Sequence, residues 1–183
     1  DDSVLAAERF IQLHPAAPEV SYAYYLIGLS YYQQIVDVGR DQRAADLALQ
    51  GFEQLIQRFP SSDYSVDARL KVDLIFAQLA GREMEIGRYY QKRGKYLAAL
   101  NRFREVTSNY QTTHYIPEAL HRLTEIYMTL GLTEEARSTT AILGHNFPQS
   151  EWYKDSFYLF EGGKNPEDES NESLFLRIFR RIF

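Results

Sequence analysis

Four histidines have the widest chemical repertoire in this chain, since an imidazole can bind a metal ion or transfer a proton near neutral pH. They are His14, His114, His121 and His145. His114 and His121 are seven residues apart, a spacing that could place them on one helix face. No carboxylate lies at the spacing of a specific metal motif with them. We therefore expect structural or surface roles for the histidines and predict no metal site.

Nucleophile and phosphate motifs are also missing from the sequence. Gly162, Gly163 and Lys164 resemble part of a phosphate-binding loop, but the upstream glycine and the following Ser or Thr are absent. Neither G-x-S-x-G nor H-E-x-x-H occurs. The acidic pair at Glu134 and Glu135 is explained by a favourable position at the start of a helix. The sequence therefore predicts a protein that is not an enzyme and that uses no cofactor.

The composition excludes several classes of protein and of binding partner. The chain has 183 residues, of which 45% are hydrophobic and 25% charged, which is ordinary globular usage. The net charge of −5 argues against general binding of nucleic acid. There is no cysteine, which excludes disulfides and thiolate sites but leaves the redox compartment open. No apolar run is long enough to span a bilayer.

A repeated spacing indicates the elements that position the remaining side chains. Small, aromatic or aliphatic, and turn-forming residues recur at offsets of 0, 5, 9, 12 and 17 positions. The three copies are Gly94, Ala99, Phe103, Val106, Gln111; Gly131, Ala136, Thr140, Leu143, Pro148; and, without the first position, Ala48, Phe52, Leu55, Pro60. This pattern is typical of the tetratricopeptide repeat, in which each copy is a helix–turn–helix unit. It predicts an all-α solenoid of antiparallel helix pairs, an architecture that usually binds other proteins.

The repeat pattern also predicts the organisation of the chain. Residues 1–160 form the solenoid, with an inserted loop at about 33–42 and an extra helical segment at about 64–80, either a separate helix or a long one running through Gly81. The chain opens inside a second-helix pattern, so we expect a cut or processed N-terminus. Thr133 is expected to cap the second helix of the last repeat. We predict that residues 161–173 form an acidic flexible linker and that residues 174–183 form an amphipathic C-terminal helix.

Four residues of the first full repeat are expected on the accessible face of its first helix. They form what we call the tyrosine groove: Tyr22, Tyr25, Leu29 and Tyr32. Three tyrosines and a leucine are unusual for a solvated face, and they suit a groove that stacks aromatic or apolar side chains of a peptide. The alternative is that upstream repeats or the inserted loop cover them, because exposed apolar patches are normally covered.

The C-terminal tail is a second candidate for binding. On a helical wheel its apolar residues occupy one arc, and Arg177, Arg180 and Arg181 occupy the opposite arc. The residues expected to dock are Leu174, Phe175, Ile178, Phe179 and Ile182. Such segregation suits a helix that lies on a membrane interface or on a partner. The alternative is a helix that folds back and caps the last repeat.

Several motifs go beyond a generic repeat. They are Ala7-Glu8-Arg9-Phe10-Ile11-Gln12-Leu13-His14-Pro15, Pro18, Tyr22, Tyr25, Gly28-Leu29, Ala68-Arg69-Leu70, Tyr89-Tyr90, Arg93-Gly94 and Asn101-Arg102. With these motifs the sequence resembles the BamD family of outer-membrane lipoproteins, which belong to the β-barrel assembly machinery. The likeness covers roughly residues 5–150 and includes the insertion after Tyr32 and the irregular segment before Gly81.

The resemblance implies a non-catalytic scaffold at the periplasmic face of the outer membrane of a Gram-negative bacterium. Its expected partners are the last POTRA domain of BamA, other lipoproteins of the complex, and unfolded outer-membrane proteins as clients. Arg102 and Arg104 are the implied BamA contacts, and the tyrosine groove is the implied site for the aromatic C-terminal signal of clients. The family is anchored by a lipid on an N-terminal cysteine, and this anchor is missing from the sequence.

Two other classes of protein compete with this interpretation. One is another periplasmic repeat adaptor, such as the cell-division coordinator associated with the Tol-Pal system, in which the insertion after Tyr32 would be unusual. The other is an enzyme subunit that uses its repeats only for docking, which the lack of catalytic motifs disfavours.

Overall fold

The computed structural model describes residues 2–35 and 42–160, and the elements within them are α-helices joined by turns. The prediction of an all-α fold of tetratricopeptide type is confirmed. The helices are α1 (Asp2–Leu13), α2 (Val20–Tyr32), α3 (Gln42–Arg58), α4 (Asp63–Lys92), α5 (Tyr96–Asn109), α6 (Ile116–Thr129), α7 (Thr133–Asn146) and α8 (Glu151–Phe160). Most of the predicted inserted loop, the acidic linker and the tail lie outside the described residues.

The chain divides into two compact units, residues 1–79 and 80–183. The first unit contains α1 to α3 and the N-terminal part of α4, and α2 packs against both α1 and α3. The second contains the rest of α4 and α5 to α8, in which α6 packs against α5, α7 and α8. Of the two arrangements considered for residues 64–80, the structure has one 30-residue helix that runs through Gly81 without a break.

A glycine on α2 sets how closely α2 and α3 approach in the first unit. A Cβ added at Gly28 would lie 2.5 and 2.7 Å from two ring carbons of Phe52, and one added at Gly51 would lie 2.8 Å from the Cα of Gly28. Phe52 is completely buried, together with Leu55 and Ile75. The small residues therefore let the two backbones meet, and the aromatic ring fills the space beside them.

The second unit repeats this contact with different residues. A Cβ at Gly87 on α4 would lie 2.6 to 2.9 Å from three ring carbons of Phe103, which is completely buried on α5. Phe52 and Phe103 both stand at offset 9 of the repeated spacing. In each unit this position therefore supplies a buried ring that lies against a glycine of the preceding first helix.

Two glycines make the turns within the repeats of the second unit. Gly94 and Gly131 have positive φ values of 69° and 75°, a region that glycine occupies without steric cost. The amide that follows each glycine donates back across the turn, from Lys95 to the Tyr90 carbonyl at 2.9 Å and from Leu132 to the Tyr127 carbonyl at 2.8 Å. This is the Schellman arrangement, which ends a helix sharply.

The predicted cap at Thr133 is wrong. The residue in the cap position of α7 is Leu132, and its side chain makes no capping hydrogen bond, so Thr133 is the first residue inside the helix. The tight turn at Gly131 fixes where α7 begins. The Leu132 amide closes this turn on the Tyr127 carbonyl, and the Leu132 carbonyl accepts the first hydrogen bond of α7 from Ala136, so Leu132 and not Thr133 is in the cap position. None of the described helices has both the length and the apolar character needed to cross a bilayer.

Candidate functional site

The tyrosine groove lies where α2 faces the first part of α4. The Tyr25 hydroxyl donates a hydrogen bond to Asp67 Oδ2 at 2.5 Å. The ring of Tyr64 lies 5.4 Å from that of Tyr25 and 5.1 Å from that of Tyr22, measured between centroids. The sequence-predicted tyrosines Tyr22 and Tyr25 are thus brought together through two side chains of α4.

The other end of the groove is held by a lysine of α4. The Lys71 ammonium lies 5.5 Å from the centre of the Tyr32 ring and 3.0 Å from Asp67 Oδ2. The Phe52 ring supports Tyr32 from the core at 6.2 Å and Tyr25 at 6.1 Å. Leu29, one turn from Tyr25, is partly buried.

Tyr64, Asp67 and Lys71 were not predicted as site residues. They belong to the segment 64–80, which matches no position of the repeat, so the repeat pattern could not place them on a face. The available signal was the i, i+4 spacing of Asp67 and Lys71, which favours an ion pair on one side of a helix.

The electrostatics of the groove keep Tyr25 neutral and Asp67 charged. Burial, followed by the hydrogen bond to Asp67, raises the pKa of Tyr25 to about 12. Hydrogen bonds from Tyr25 and Lys71 lower the pKa of Asp67 below its usual value. The Tyr25 hydroxyl therefore remains a donor at neutral pH, and its ring is held in one orientation by a charge-assisted bond.

The exposed fraction of the aromatic side chains differs along the groove. Tyr22 is 43% exposed and Tyr64 is 38% exposed, whereas Tyr25 and Tyr32 are half-buried. Rings are therefore accessible at the end formed by Tyr22 and Tyr64 within the part of the chain that the structure describes. Of the two proposed covers, the inserted loop lies mostly at residues that are not described.

Arg102 and Arg104 lie on opposite flanks of α5. They are two residues apart, which corresponds to about 200° around a helix. Arg102 Nη1 lies 3.0 Å from Oε2 of Glu83 on α4, and the Arg102 side chain remains 45% exposed. Arg104 Nε donates to the Tyr127 hydroxyl on α6 at 3.0 Å. The structure does not bring the two arginines together, and each is positioned by a neighbouring helix.

A charged network joins the first helices of the second unit, and it was not predicted. Arg88 on α4 binds Glu118 on α6 through two hydrogen bonds of 2.8 and 3.0 Å. Glu125 on α6 accepts from Gln91 at 3.0 Å and from Arg122 at 2.8 Å. Burial raises the pKa of Glu125, but hydrogen bonds from His121, Arg122 and Gln91 outweigh it and lower the pKa to about 2.

His121 connects this network to the last described helix. Its Nδ1 lies 2.8 Å from the Ser156 hydroxyl on α8, and its Nε2 lies 3.5 Å from Glu125 Oε1. Its ring lies 5.2 Å from that of Trp152, and both His121 and Ser156 are buried. These contacts assign His121 a structural role in holding α8 on α6.

The structure gives less information on the other sites considered in the sequence. The described residues contain no group of three or more His, Asp or Glu side chains placed to hold a metal ion. The tail residues Leu174, Phe175, Ile178, Phe179 and Ile182 lie outside the described residues, so their docking stays a prediction.

Comparison with known proteins gives a consistent family. A sequence model of the family described as outer membrane lipoprotein (YfiO) matches residues 1–143. The outer membrane protein assembly factor BamD of Caulobacter vibrioides is 49% identical over 164 residues, which cover 89% of this chain and 54% of that protein. The protein of the same name from Rickettsia prowazekii is 47% identical over 165 residues, 90% of this chain and 66% of that protein.

A more distant relative carries the same name. The assembly factor BamD of Neisseria meningitidis serogroup A is 39% identical over 160 residues, which cover 82% of this chain and 60% of that protein. The chain therefore spans between about half and two thirds of the length of these relatives.

Proposed function

This chain belongs to the BamD family of outer-membrane lipoproteins, and we propose that it is a non-catalytic scaffold for the assembly of outer-membrane β-barrel proteins. It acts at the periplasmic face of the outer membrane, with unfolded outer-membrane proteins as clients. The observation that carries the proposal is the cluster of tyrosine rings of α2 against Tyr64, with two of the rings more than a third exposed.

The chemistry of the tyrosine groove suits segments of unfolded barrel proteins. Transmembrane strands carry aromatic and aliphatic side chains on one face, and those side chains need a temporary apolar partner before they enter a membrane. Tyrosine rings offer a large contact area at a low entropic cost. Because Asp67 holds the Tyr25 hydroxyl, the ring is oriented before a client arrives, and less freedom is lost on binding.

The proposed contact with BamA is Arg102, with Arg104 beside it on α5. Arg102 uses Nη1 for Glu83 and keeps almost half of its side chain exposed, so its guanidinium can also meet a carboxylate of the POTRA domain. Arg104 contributes less to such a contact, because its Nε is used by the Tyr127 hydroxyl. Other lipoproteins of the complex are proposed as further partners.

The amphipathic tail is proposed to add a docking element to the scaffold. Its apolar arc, with Leu174, Phe175, Ile178, Phe179 and Ile182, suits a partner surface or a lipid interface. Deletion of residues 174–183 is expected to weaken binding to partner or liposome; unaltered binding would favour the alternative that the tail caps its own repeat.

The Tol-Pal-associated adaptor is set aside, because the family model and the relatives assign the chain to the BamD family. The second alternative, an enzyme subunit, is disfavoured by the same assignment and by the lack of catalytic motifs. The scaffold is therefore the function that the geometry supports best.

The test of the proposal uses a fluorescent peptide that ends in Phe, titrated with purified protein. The double variant Tyr25→Ala with Tyr32→Ala removes both half-buried rings. We expect binding to weaken about tenfold, since an aromatic pair is worth about 0.5–1.5 kcal/mol and two such contacts are lost. The matched control is Tyr158→Ala on α8, where the side chain is 46% exposed and lies outside the groove. Equal affinity of the double variant and the unchanged protein would overturn the assignment of the groove.

A further inference from the structure

A buried carboxylate of α4 holds the exposed arginine that is proposed to contact BamA. Glu83 is only 9% exposed, whereas the side chain of Arg102 on α5 is 45% exposed. Arg102 Nη1 donates a hydrogen bond to Glu83 Oε2 at 3.0 Å, and the two groups form an ion pair. One partner is therefore fixed within the protein, and the other extends from it towards solvent.

The backbone that carries Glu83 is fixed by its neighbours. Met84 is completely buried, and Gly87, one turn after Glu83, lies against the ring of Phe103. Phe103 directly follows Arg102 in α5. The packing that brings α4 and α5 together therefore also sets the distance between the two charges.

Glu83 depends on Arg102 for its charge partner. Within residues 2–35 and 42–160, Arg102 is the one cationic side chain that pairs with Glu83. A buried carboxylate is costly to leave without a partner. A ligand that pulled Arg102 away would leave Glu83 in that state, so the favourable way to bind Arg102 is to approach it where it lies.

The ion pair leaves much of the guanidinium free to meet a ligand. An arginine has five N–H donors, and Glu83 takes one on Nη1. Nε and Nη2 of Arg102 make no hydrogen bond within the part of the chain that the structure describes. These two atoms form one edge of the planar group, and a carboxylate can accept two parallel hydrogen bonds from such an edge.

We infer that Glu83 is a positioning residue, which orients Arg102 for a carboxylate of the POTRA domain. The inference rests on the proposed function and deepens it, because it adds the residue that orients the assigned contact. Without Glu83 the guanidinium would sample several orientations, since each sp³ torsion of an arginine has three staggered positions. Only the fraction of molecules with Arg102 in the bound orientation would then bind, and the apparent affinity falls by that fraction.

The negative charge of Glu83 has an opposing effect, because it repels the carboxylate of the partner. That carboxylate approaches the exposed side of the guanidinium, so it lies farther from Glu83 than from Arg102, and water and salt screen the repulsion. Two substitutions separate the effects. Glutamine keeps an oxygen that accepts from Nη1 but has no charge, whereas alanine removes both. Orientation of Arg102 therefore predicts that Glu83→Gln binds more tightly than Glu83→Ala.

The test measures binding of the purified last POTRA domain of BamA to the whole chain by biolayer interferometry. Glu83→Ala should weaken binding about fivefold, which corresponds to a competent fraction of about one fifth. Glu83→Gln should recover most of this loss. The matched control is Glu118→Ala, which breaks the ion pair between α6 and Arg88 on α4 and should leave the affinity unchanged. Thermal unfolding followed by circular dichroism verifies that each variant folds.

A double-mutant cycle determines whether Glu83 acts through Arg102. In an Arg102→Ala background, Glu83→Ala should change the affinity by less than about 1.5-fold, since the group that it orients is gone. A loss in that background as large as in the unchanged protein would assign Glu83 to the fold alone and overturn the inference. Equal affinities of Glu83→Gln and Glu83→Ala would also overturn it, as would a Glu83→Ala variant that binds as tightly as the unchanged protein or more tightly.

Nitrogen-15 relaxation of Arg102 Nε gives a measurement that needs no partner. The Nε–H bond should be ordered on the picosecond–nanosecond timescale in the unchanged protein and mobile in Glu83→Ala. The same mobility in both proteins would contradict the positioning role.

The failure of this inference can be told from failure of the proposed contact. If Arg102→Ala weakens binding of the POTRA domain and Glu83→Ala does not, Glu83 is not a positioning residue and the contact at Arg102 remains. If Arg102→Ala binds as tightly as the unchanged protein, the proposed contact itself fails, and the inference fails with it.

Discussion

Replacement of Gly28 by alanine is expected to destabilise the protein, against the usual effect of this change within a helix. Alanine is normally better than glycine in a helix interior by about 1 kcal/mol. At position 28, however, the new Cβ would lie 2.5, 2.7 and 3.0 Å from three ring carbons of Phe52. Phe52 is completely buried, so its ring cannot move away without displacing other core side chains.

The magnitude follows from two opposing contributions. Overpacking a core with one extra methyl group typically costs about 1–3 kcal/mol, and the short distances to a rigid ring place this case near about 3 kcal/mol. The helix preference of alanine returns about 1 kcal/mol. The net loss in the free energy of unfolding is therefore about 2 kcal/mol, which corresponds to a fall in Tm of about 4–8 °C for a domain of this size.

Urea denaturation followed by circular dichroism measures this loss. Gly81→Ala is the control, because its Cβ would meet the hydroxyl end of Tyr115 at 2.9 Å, and the end of that half-buried side chain can shift. The control should be between neutral and about 1 kcal/mol more stable than the unchanged protein. In a Phe52→Leu background, Gly28→Ala should cost at least about 1 kcal/mol less than in the unchanged protein.

The same substitution should reach the proposed client site. The Phe52 ring lies against those of Tyr25 and Tyr32, so its displacement moves the rings that are proposed to bind peptide. Gly28→Ala should therefore also weaken binding of the Phe-terminated peptide under conditions in which the protein is folded. A variant that is as stable as the unchanged protein would refute the packing argument.

Three further predictions concern the second unit. The pKa of Glu125 falls from 4.5 to about 2 on folding, so its ionised form stabilises the protein fully above about pH 5, and this stabilisation is lost as the pH falls towards 2. Denaturation curves across this range should show the loss, and Glu125→Gln should make the free energy of unfolding depend less on pH. Arg102→Glu should weaken capture of the BamA POTRA domain in a pull-down, whereas Arg43→Glu on α3 should not; equal capture would remove the assigned contact. Ser156→Ala leaves His121 Nδ1 without its hydroxyl partner, so it should cost about 1–2 kcal/mol and accelerate hydrogen exchange in α8; unchanged exchange would contradict the proposed role of this bond.

The features that could be predicted from the sequence are those that depend on contacts within one helix pair. The Gly94 turn and the buried Phe103 follow from the repeat spacing, because a fixed number of residues separates the two helices of each repeat. The family could be predicted as well, and the comparisons confirm it.

Contacts between first helices of successive repeats could not be predicted in the same way. Arg88 and Glu118 are 30 residues apart, and their two hydrogen bonds depend on the register in which α4 and α6 pack. The segment that contributes Asp67 and Lys71 departs from the repeat, so its faces could not be assigned by analogy with other copies. The wrong cap at Thr133 has a related cause. The backbone of the preceding turn decides where α7 begins, whereas the preference of threonine for cap positions does not.

The two units use equivalent helix faces in different ways. In the second unit, Arg88 is matched by Glu118, and Glu125 is bonded to Gln91 and Arg122, so the polar groups of this face are largely used within the protein. In the first unit the corresponding face is built largely from tyrosine rings, and Asp67, which is paired with Lys71, accepts a hydrogen bond from Tyr25. A face whose groups are already bonded has less to offer a ligand, since binding would have to break those bonds. This difference in composition supports the proposal that clients bind to the first unit.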